Sequence, residues 1–190
     1  MQGKISALPG LVLRSIFILS IFCTLYSGIR GDSENSIYNF DTKIDSISHH
    51  IFQILDPLKT KISGTVRQKF FRDKLHVWTL FDSDSLYGIG ILDNVIGKSM
   101  PITFLVVFNL EGLIIHSEII KYREPYGGEV SSRNWLRQFY TKYDDSSFKV
   151  GKEIDGISGA TISVNSVSRG IHKLALLAPE IIKIYSTGKE

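Results

Sequence analysis

Four apolar runs follow one another in the middle of the chain with little between them: His76 to Phe81, Leu86 to Val95, Ile102 to Phe108 and Leu113 to Tyr122. All four are rich in β-branched and aromatic residues, the composition of half-buried or buried strands. Turn-forming residues separate them, namely Asp82-Ser83-Asp84, Gly97-Lys98-Ser99 and Asn109-Leu110-Glu111-Gly112. A parallel crossover needs about a dozen residues or more, and these connections are shorter. The runs therefore predict an antiparallel meander. Gly88-Ile89-Gly90 opens like a dinucleotide-binding fingerprint, but position 93 is Asp and no helix follows. These glycines instead mark a bulge or a close approach of two backbones.

The meander is flanked by sequences of a different period. From Phe40 to Leu55, the residues Ile44, Ile47, Ile51, Ile54 and Leu55 fall at helical spacing, and Pro57 is expected to end that helix. His49 and His50 are adjacent, so they point to different faces and cannot form an i,i+4 metal pair; they read as solvated helix residues. Lys59 to Lys74 is basic, with Phe70 and Phe71 among its lysines and arginines. It suits a solvated face, or contact with an anionic membrane surface or an acidic redox partner. Beyond the meander, Ser131 reads as the N-cap of a helix through Trp135, Leu136 and Phe139, and Lys142 to Lys149 as a polar connection. A last helix is expected to start near Ser163 and to line up Val164, Val167, Ile171, Leu174, Ala175 and Ala178, with Pro179 interrupting it. The order is helix, sheet, helix, loop, helix: an α+β domain.

The N-terminus serves as an address. Ser15 to Tyr26 reads SIFILSIFCTLY without a charge, with Lys4 and Arg14 before it and Arg30, Asp32 and Glu34 after it. Positive charge on the N-terminal side sends the downstream chain out of the cytoplasm. The reading is an uncleaved anchor in the cytoplasmic membrane, with a cleaved signal segment as the alternative. Asp32 to Asn39 is polar and reads as a tether. The expected division is thus residues 1–30 as anchor or signal, 31–75 as tether, helix and basic segment, and 76–190 as the main domain. Of the 190 residues 43% are hydrophobic, enough for a packed core. A net charge of +3 is too small to imply a polyanionic partner, so no nucleic acid is expected. Cys23 is the only cysteine and falls in the apolar run. Disulfides and cysteine-ligated zinc or iron–sulfur clusters are therefore excluded from the downstream domain.

One segment offers a site. Asp155-Gly156-Ile157-Ser158-Gly159-Ala160-Thr161 joins a polar loop to the last helix. A helix N-terminus presents unpaired N–H groups and a partial positive charge, and the glycines allow a sharp turn and close approach of a ligand. Physical chemistry alone gives an anion-friendly turn, and a plain capped helix start explains much of the same composition. A serine-hydrolase elbow is a third reading of Gly156-Ile157-Ser158-Gly159-Ala160. It lacks partners, because no aspartate follows Ser158 and His172 lies on the same short helix.

Asp155-x-x-Ser158-Gly159-Ala160-Thr161 resembles the flavin-transfer motif D-x-x-S-G-A-T of the FMN-binding domain family. That family includes membrane-anchored flavin subunits of the sodium-translocating NADH:quinone reductase and of Rnf-type complexes. The likeness runs from about Leu75 to Ala178 and includes Tyr122-Arg123-Glu124-Pro125-Tyr126-Gly127-Gly128 before the motif. It implies FMN linked through its phosphate to Thr161 by a separate FAD-dependent flavin transferase. Ser158, Gly159 and Ala160 would leave room for the phosphate, and Asp155 would serve the transferase or cap the turn. The isoalloxazine ring is expected against the Glu124–Gly128 loop, with Tyr126 flanking it and Gly127 giving access. No residue pair is arranged to activate a substrate. The resemblance therefore implies an electron carrier working with membrane-bound redox partner proteins rather than a self-sufficient enzyme. The alternatives are a noncovalent FMN-binding or scaffolding module, and a reductase acting on a small molecule.

Overall fold

A computed structural model of the chain describes residues 28–187. The apolar run and Cys23 lie outside the described residues. Among the described residues, no helix is long and apolar enough to cross a membrane.

The expected meander is present and gains a fifth strand. Strands β1 (Ser46–Gln53), β2 (Lys74–Asp82), β3 (Ser85–Ile96), β4 (Pro101–Asn109) and β5 (Ile114–Lys121) pair antiparallel in sequence order. The fold is α+β, as expected. β1 corrects one reading, because the segment expected as a helix is a strand paired along its whole length with β2. Ile44, Ile47, Ile51 and Ile54 satisfy a helical spacing, but Ile47, His49 and Ile51 also alternate with Ser48, His50 and Phe52, and ladder pairing decides for the strand. His49 and His50 still point to opposite faces. They are half-buried rather than solvated, with His49 Nε2 2.8 Å from His76 Nδ1 and His50 Nε2 3.1 Å from Thr79 Oγ1. Pro57 starts a helix instead of ending one, since it sits in the first turn of α2 (Asp56–Val66), where a missing N–H costs nothing.

The expected tether is also ordered. Residues Ile29–Phe40 form helix α1, closed by an Arg30–Glu34 ion pair at 2.8 Å and by Ser33 Oγ donating to the Ile29 carbonyl. Glu34 accepts from Trp78 Nε1 at 3.1 Å, and Ile37 is fully buried, so α1 covers one face of the sheet with Trp78, Leu80, Leu105 and Val107. The other face carries the larger core. There Val77, Ile91, Phe104 and Val106 meet Val164, Val167, Ile171 and Leu174 of the last helix. β4 is buried at seven consecutive positions because both of its faces are covered. Residues on either side of position 75 thus share one sheet and one core, with Ile54 and Ile62 packing beside β2.

The last helix, α4, runs from Thr161 to Ser186 and passes through Pro179 without stopping. Pro179 is exposed, and buried Ile181 and Ile182 hold the turns beyond it against the core. α4 lies close on the sheet at Gly170, where a Cβ would stand 2.6 Å from Val95 Cγ1 and 2.8 Å from Phe104 Cζ. Gly88 shows the backbone approach expected of it, since a Cβ there would meet the Phe108 carbonyl oxygen at 2.3 Å. Between β5 and α4, a 3₁₀ turn (Gly128–Ser131), the short helix α3 (Arg133–Leu136) and a second 3₁₀ turn (Arg137–Phe139) bury Trp135, Leu136 and Phe139. The N-cap of α3 is Ser132 rather than Ser131, its Oγ accepting from the Trp135 N–H.

A buried ion pair joins sheet to helix. Lys173 Nζ lies 2.6 Å from Asp93 Oδ2 and also donates to the Lys69 carbonyl at 3.0 Å. Burial pushes the Asp93 carboxyl above its ordinary value, and Lys173 opposes that shift.

Candidate functional site

In an antiparallel meander the β3–β4 turn and the chain leaving β5 emerge at the same end of the sheet. Gly97 to Met100 is that turn, and Tyr122 to Gly128 leaves β5 beside it. α4 crosses the sheet and begins at the same end. A cleft of about 490 Å³ opens among the three, lined by Lys98, Ser99, Glu124, Tyr126, Ala160 and Thr161 with their neighbours. That is the size of an ordinary cofactor site.

α4 starts without a side-chain cap. Its N-cap is Ala160, which has no oxygen to offer, and the preceding Gly159 takes φ +79°, a conformation glycine adopts without strain. Thr161 is the first helical residue and is exposed. The amides of the first turn and the positive end of a 26-residue helix thus face the cleft without a protein carboxylate or hydroxyl to satisfy them. Ala160 itself is buried beneath the cleft floor.

The loop after β5 is tied to this helix start. Tyr122 Oη donates to the Tyr126 carbonyl at 2.6 Å and lies 3.3 Å from Ser163 Oγ. Gly127, at φ +78°, turns the loop so that its Cα packs against Ala160. These contacts leave the Tyr126 ring 83% exposed on the rim. Glu124 has a different employment from ring contact. Its carboxylate accepts from the N–H groups of Ser99 at 2.7 Å and Met100 at 2.9 Å, and from Ser99 Oγ at 3.1 Å. Those donors, Met100 foremost, hold the Glu124 carboxyl below its ordinary value. Gly97 leaves room for this arrangement: a Cβ there would stand 2.6 Å from Glu124 Oε1, so the carboxylate would have to shift.

Of the eight residues singled out in the sequence, Glu124, Tyr126, Gly159, Ala160 and Thr161 line the cleft and Gly127 supports its floor. Asp155 and Ser158 are exposed and stand outside the lining. Asp155 is nevertheless fixed through its backbone: its N–H donates to Gln138 Oε1 at 2.7 Å and its carbonyl accepts from Trp135 Nε1 at 2.8 Å. Lys98, Ser99, Tyr122 and Ser163 are the contributors that residue patterns did not single out. The signal for Lys98 and Ser99 was topological, since their turn must lie at the sheet end where β5 exits.

The sequence model of the FMN-binding domain matches residues 97–175, from the β3–β4 turn through the motif into α4. Residues 97–175 form an FMN-binding domain of this family. Two curated relatives bear on the rest of the chain. An ion-translocating oxidoreductase complex subunit of Buchnera aphidicola subsp. Schizaphis graminum, designated G, is 25% identical over 186 residues, covering 90% of this chain and 87% of its own. Its counterpart from Buchnera aphidicola subsp. Acyrthosiphon pisum is 28% identical over 140 residues, covering 66% of this chain and 85% of its own. Among solved structures, NqrC of Shewanella oneidensis aligns with a TM-score of 0.50 and 16% identity over 73% of this chain and 80% of that one, a likeness of fold. The FMN-binding domain thus has its cofactor class from the family, and its cleft is the place in the described structure where the family motif and the β5 loop meet.

Another polar cluster among the described residues invites a catalytic reading. Ser36 Oγ is 3.2 Å from His116 Nε2, and Glu118 accepts from the same hydroxyl. In a hydrolytic triad the acid would orient the far ring nitrogen, yet here His116 Nδ1 faces Tyr140 Oη at 3.2 Å. The cluster fastens α1 to β5 of the FMN-binding domain.

Proposed function

We propose that the chain is a membrane-held electron carrier whose FMN is joined through its phosphate to Thr161 Oγ1. The observation that carries this reading is the uncapped start of α4, with an exposed threonine hydroxyl at its first position opening on a cleft of about 490 Å³. A phosphodiester there keeps one negative charge, and the free amides of the first helical turn stabilise it. The residues present fit the group: Gly159 and Ala160 leave the backbone accessible, Lys98 adds a positive charge across the cleft, and Tyr126 offers an exposed ring face.

FMN when bound supplies the redox chemistry, accepting and passing on electrons at its ring. The chain's own residues bind and position it. Tyr122 clamps the loop, Glu124 holds the Gly97–Met100 turn, and Gly127 sets the distance between loop and helix. The role is carriage between partners, which the relatives' place in an oxidoreductase complex supports. A FAD-dependent flavin transferase would make the linkage at the Thr161 hydroxyl, with FAD supplying the flavin phosphate and AMP as the leaving group. The relatives are subunits of an ion-translocating oxidoreductase complex, which supports a membrane redox assembly as the setting. The uncharged run before Gly28, with its positive flank on the N-terminal side, supports a single anchor and an extracytoplasmic domain.

Reducing the purified holo-protein and offering small-molecule acceptors tests the carrier role. Slow reoxidation by small molecules and fast reoxidation by a membrane fraction fit a carrier. Multiple turnovers with a small acceptor and no protein partner would contradict it.

A further inference from the structure

A second cleft lies across the β3–β4 turn from the flavin cleft. Its volume is about 450 Å³, and Arg30, Phe71, Arg72, Lys74 and Arg123 stand around it, with Ile96 and Pro101 as the wall on the side of the turn. Lys98 and Ser99 of the same turn line the flavin cleft. Arg123 and Glu124 divide in the same way, the first facing the second cleft and the other the flavin cleft. The two clefts are neighbours with a common wall.

The second cleft is basic and greasy at once. Its acid, Asp93, is buried and neutralised from behind by Lys173 at 2.6 Å. Arg30 is shared with Glu34, and Arg123 donates to the Pro101 carbonyl and to Thr103 Oγ1. Arg72 and Lys74 make no side-chain hydrogen bond or ion pair among the described residues, so their charge is available. Phe71 is 51% exposed and Ile96 40%, both large apolar side chains turned to solvent beside these cations.

Where the chain enters identifies the occupant. Ile29 lines this cleft and stands three residues after Tyr26, the end of the uncharged run. An extended chain spans about 3.5 Å per residue, so the cleft lies within roughly 10 Å of the run's end. With the run in a bilayer, the cleft that Ile29 shares with Phe71, Arg72 and Lys74 would lie within reach of the headgroups. An acidic protein would satisfy the cations but not the exposed Phe71 and Ile96.

We propose that this cleft binds the headgroups of anionic phospholipids and so holds the flavin cleft beside the membrane surface. The inference rests on the anchor in the proposed function, and is independent of how FMN is attached. It predicts an orientation as well as an attraction, because the shared turn places Lys98 on the flank of the docked face.

The test uses the full chain in nanodiscs of phosphatidylcholine alone and of a mixture with about one-third phosphatidylglycerol, a lipid charge sufficient to attract basic segments. Backbone hydrogen exchange is followed at residues 70–75. Several-fold slower exchange in the anionic discs, lost on adding salt and lost in the Arg72→Glu/Lys74→Glu variant, is the expected result. Both substituted side chains are exposed, and unchanged exchange in β3 and β4 confirms that the variant is folded. Equal exchange at 70–75 in both discs overturns the proposal while leaving the anchor intact. Failure of the chain to enter discs of either kind overturns the anchor, and the proposal with it.

Discussion

Gly127 packs directly on Ala160: a Cβ built at Gly127 would stand 3.0 Å from the Ala160 Cβ and 3.0 Å from Tyr122 Oη. This contact joins two segments far apart in sequence, the loop leaving β5 and the motif that opens α4. It ties two walls of the cleft together. The residue's φ of +78° adds a second reason for glycine, because a side chain in that region is strained even where space exists.

Gly127→Val should therefore open the cleft. Strain of this kind costs about 1–3 kcal/mol, and the methyl groups also push Ala160 away from its buried seat. The expected outcome is a lowered denaturation midpoint and several-fold less flavin incorporated per protein, measured by absorbance. Unchanged incorporation would show that the loop and the motif act separately.

The β3–β4 turn should be sensitive to acid. Glu124 has its carboxyl held below the ordinary 4.5 by the Met100 and Ser99 amides. A lowered folded value means the contribution is present above about pH 4.5 and is lost as pH falls through the lowered value. The Ser99 and Met100 amide protons should lose protection in that window, ahead of the sheet amides, and Glu124→Gln should remove the transition. The readout is amide chemical shift and exchange against pH.

Asp93 and Lys173 should behave as a pair. Removing one partner leaves a buried charge, so Lys173→Met alone should cost about 3–5 kcal/mol in denaturant unfolding. The double variant Asp93→Leu/Lys173→Met should recover most of that loss, since no buried charge is then left without a partner. Lys173 Nζ also sits 4.3 Å from the Phe70 ring centre, so a modest deficit should remain. Additive losses in the double variant would show that the two residues are independent.

Lys98 should tune the bound flavin. A cation in the cleft lining favours the reduced, more negative ring, so Lys98→Gln should lower the reduction potential by tens of millivolts, on the order expected for one partly screened charge. Lys98→Arg should keep the original value. Spectroelectrochemical titration of the three proteins decides between this role and a purely solvated one.

How much of this was legible in the sequence depends on which interactions are local. The four strands of the meander were readable because each is a β-rich run bounded by short turns, and those turns exclude crossovers. The start of α4 was readable because Gly159-Ala160-Thr161 is a local turn chemistry. β1 reads as a helix in the sequence because Ile44, Ile47, Ile51 and Ile54 fit a helical period, and its pairing with β2 is a tertiary fact. α1 was misread as a tether because Ile37 is its one fully buried large side chain, and small Ser33 and Ser36 complete the buried face. A signal for it did exist: β4 is apolar at nearly every position from Ile102 to Phe108, a run that needs cover on both faces, and the last helix can cover only one. The Asp93–Lys173 pair left no local trace. Glu124 lines the same cleft as Ala160 and Thr161, but its partners lie on a turn whose position only the folded sheet reveals.

Denaturation separates a covalent bond at Thr161 from noncovalent binding of FMN. The full chain is co-expressed with a FAD-dependent flavin transferase, denatured, run on a gel and read for flavin fluorescence beside Thr161→Ala. A fluorescent band is expected from the unsubstituted protein and none from Thr161→Ala, with the flavin on the peptide that contains Ser158 to Ser163. Flavin released from the unsubstituted protein on denaturation, or a band that persists in Thr161→Ala, would contradict the bond at Thr161.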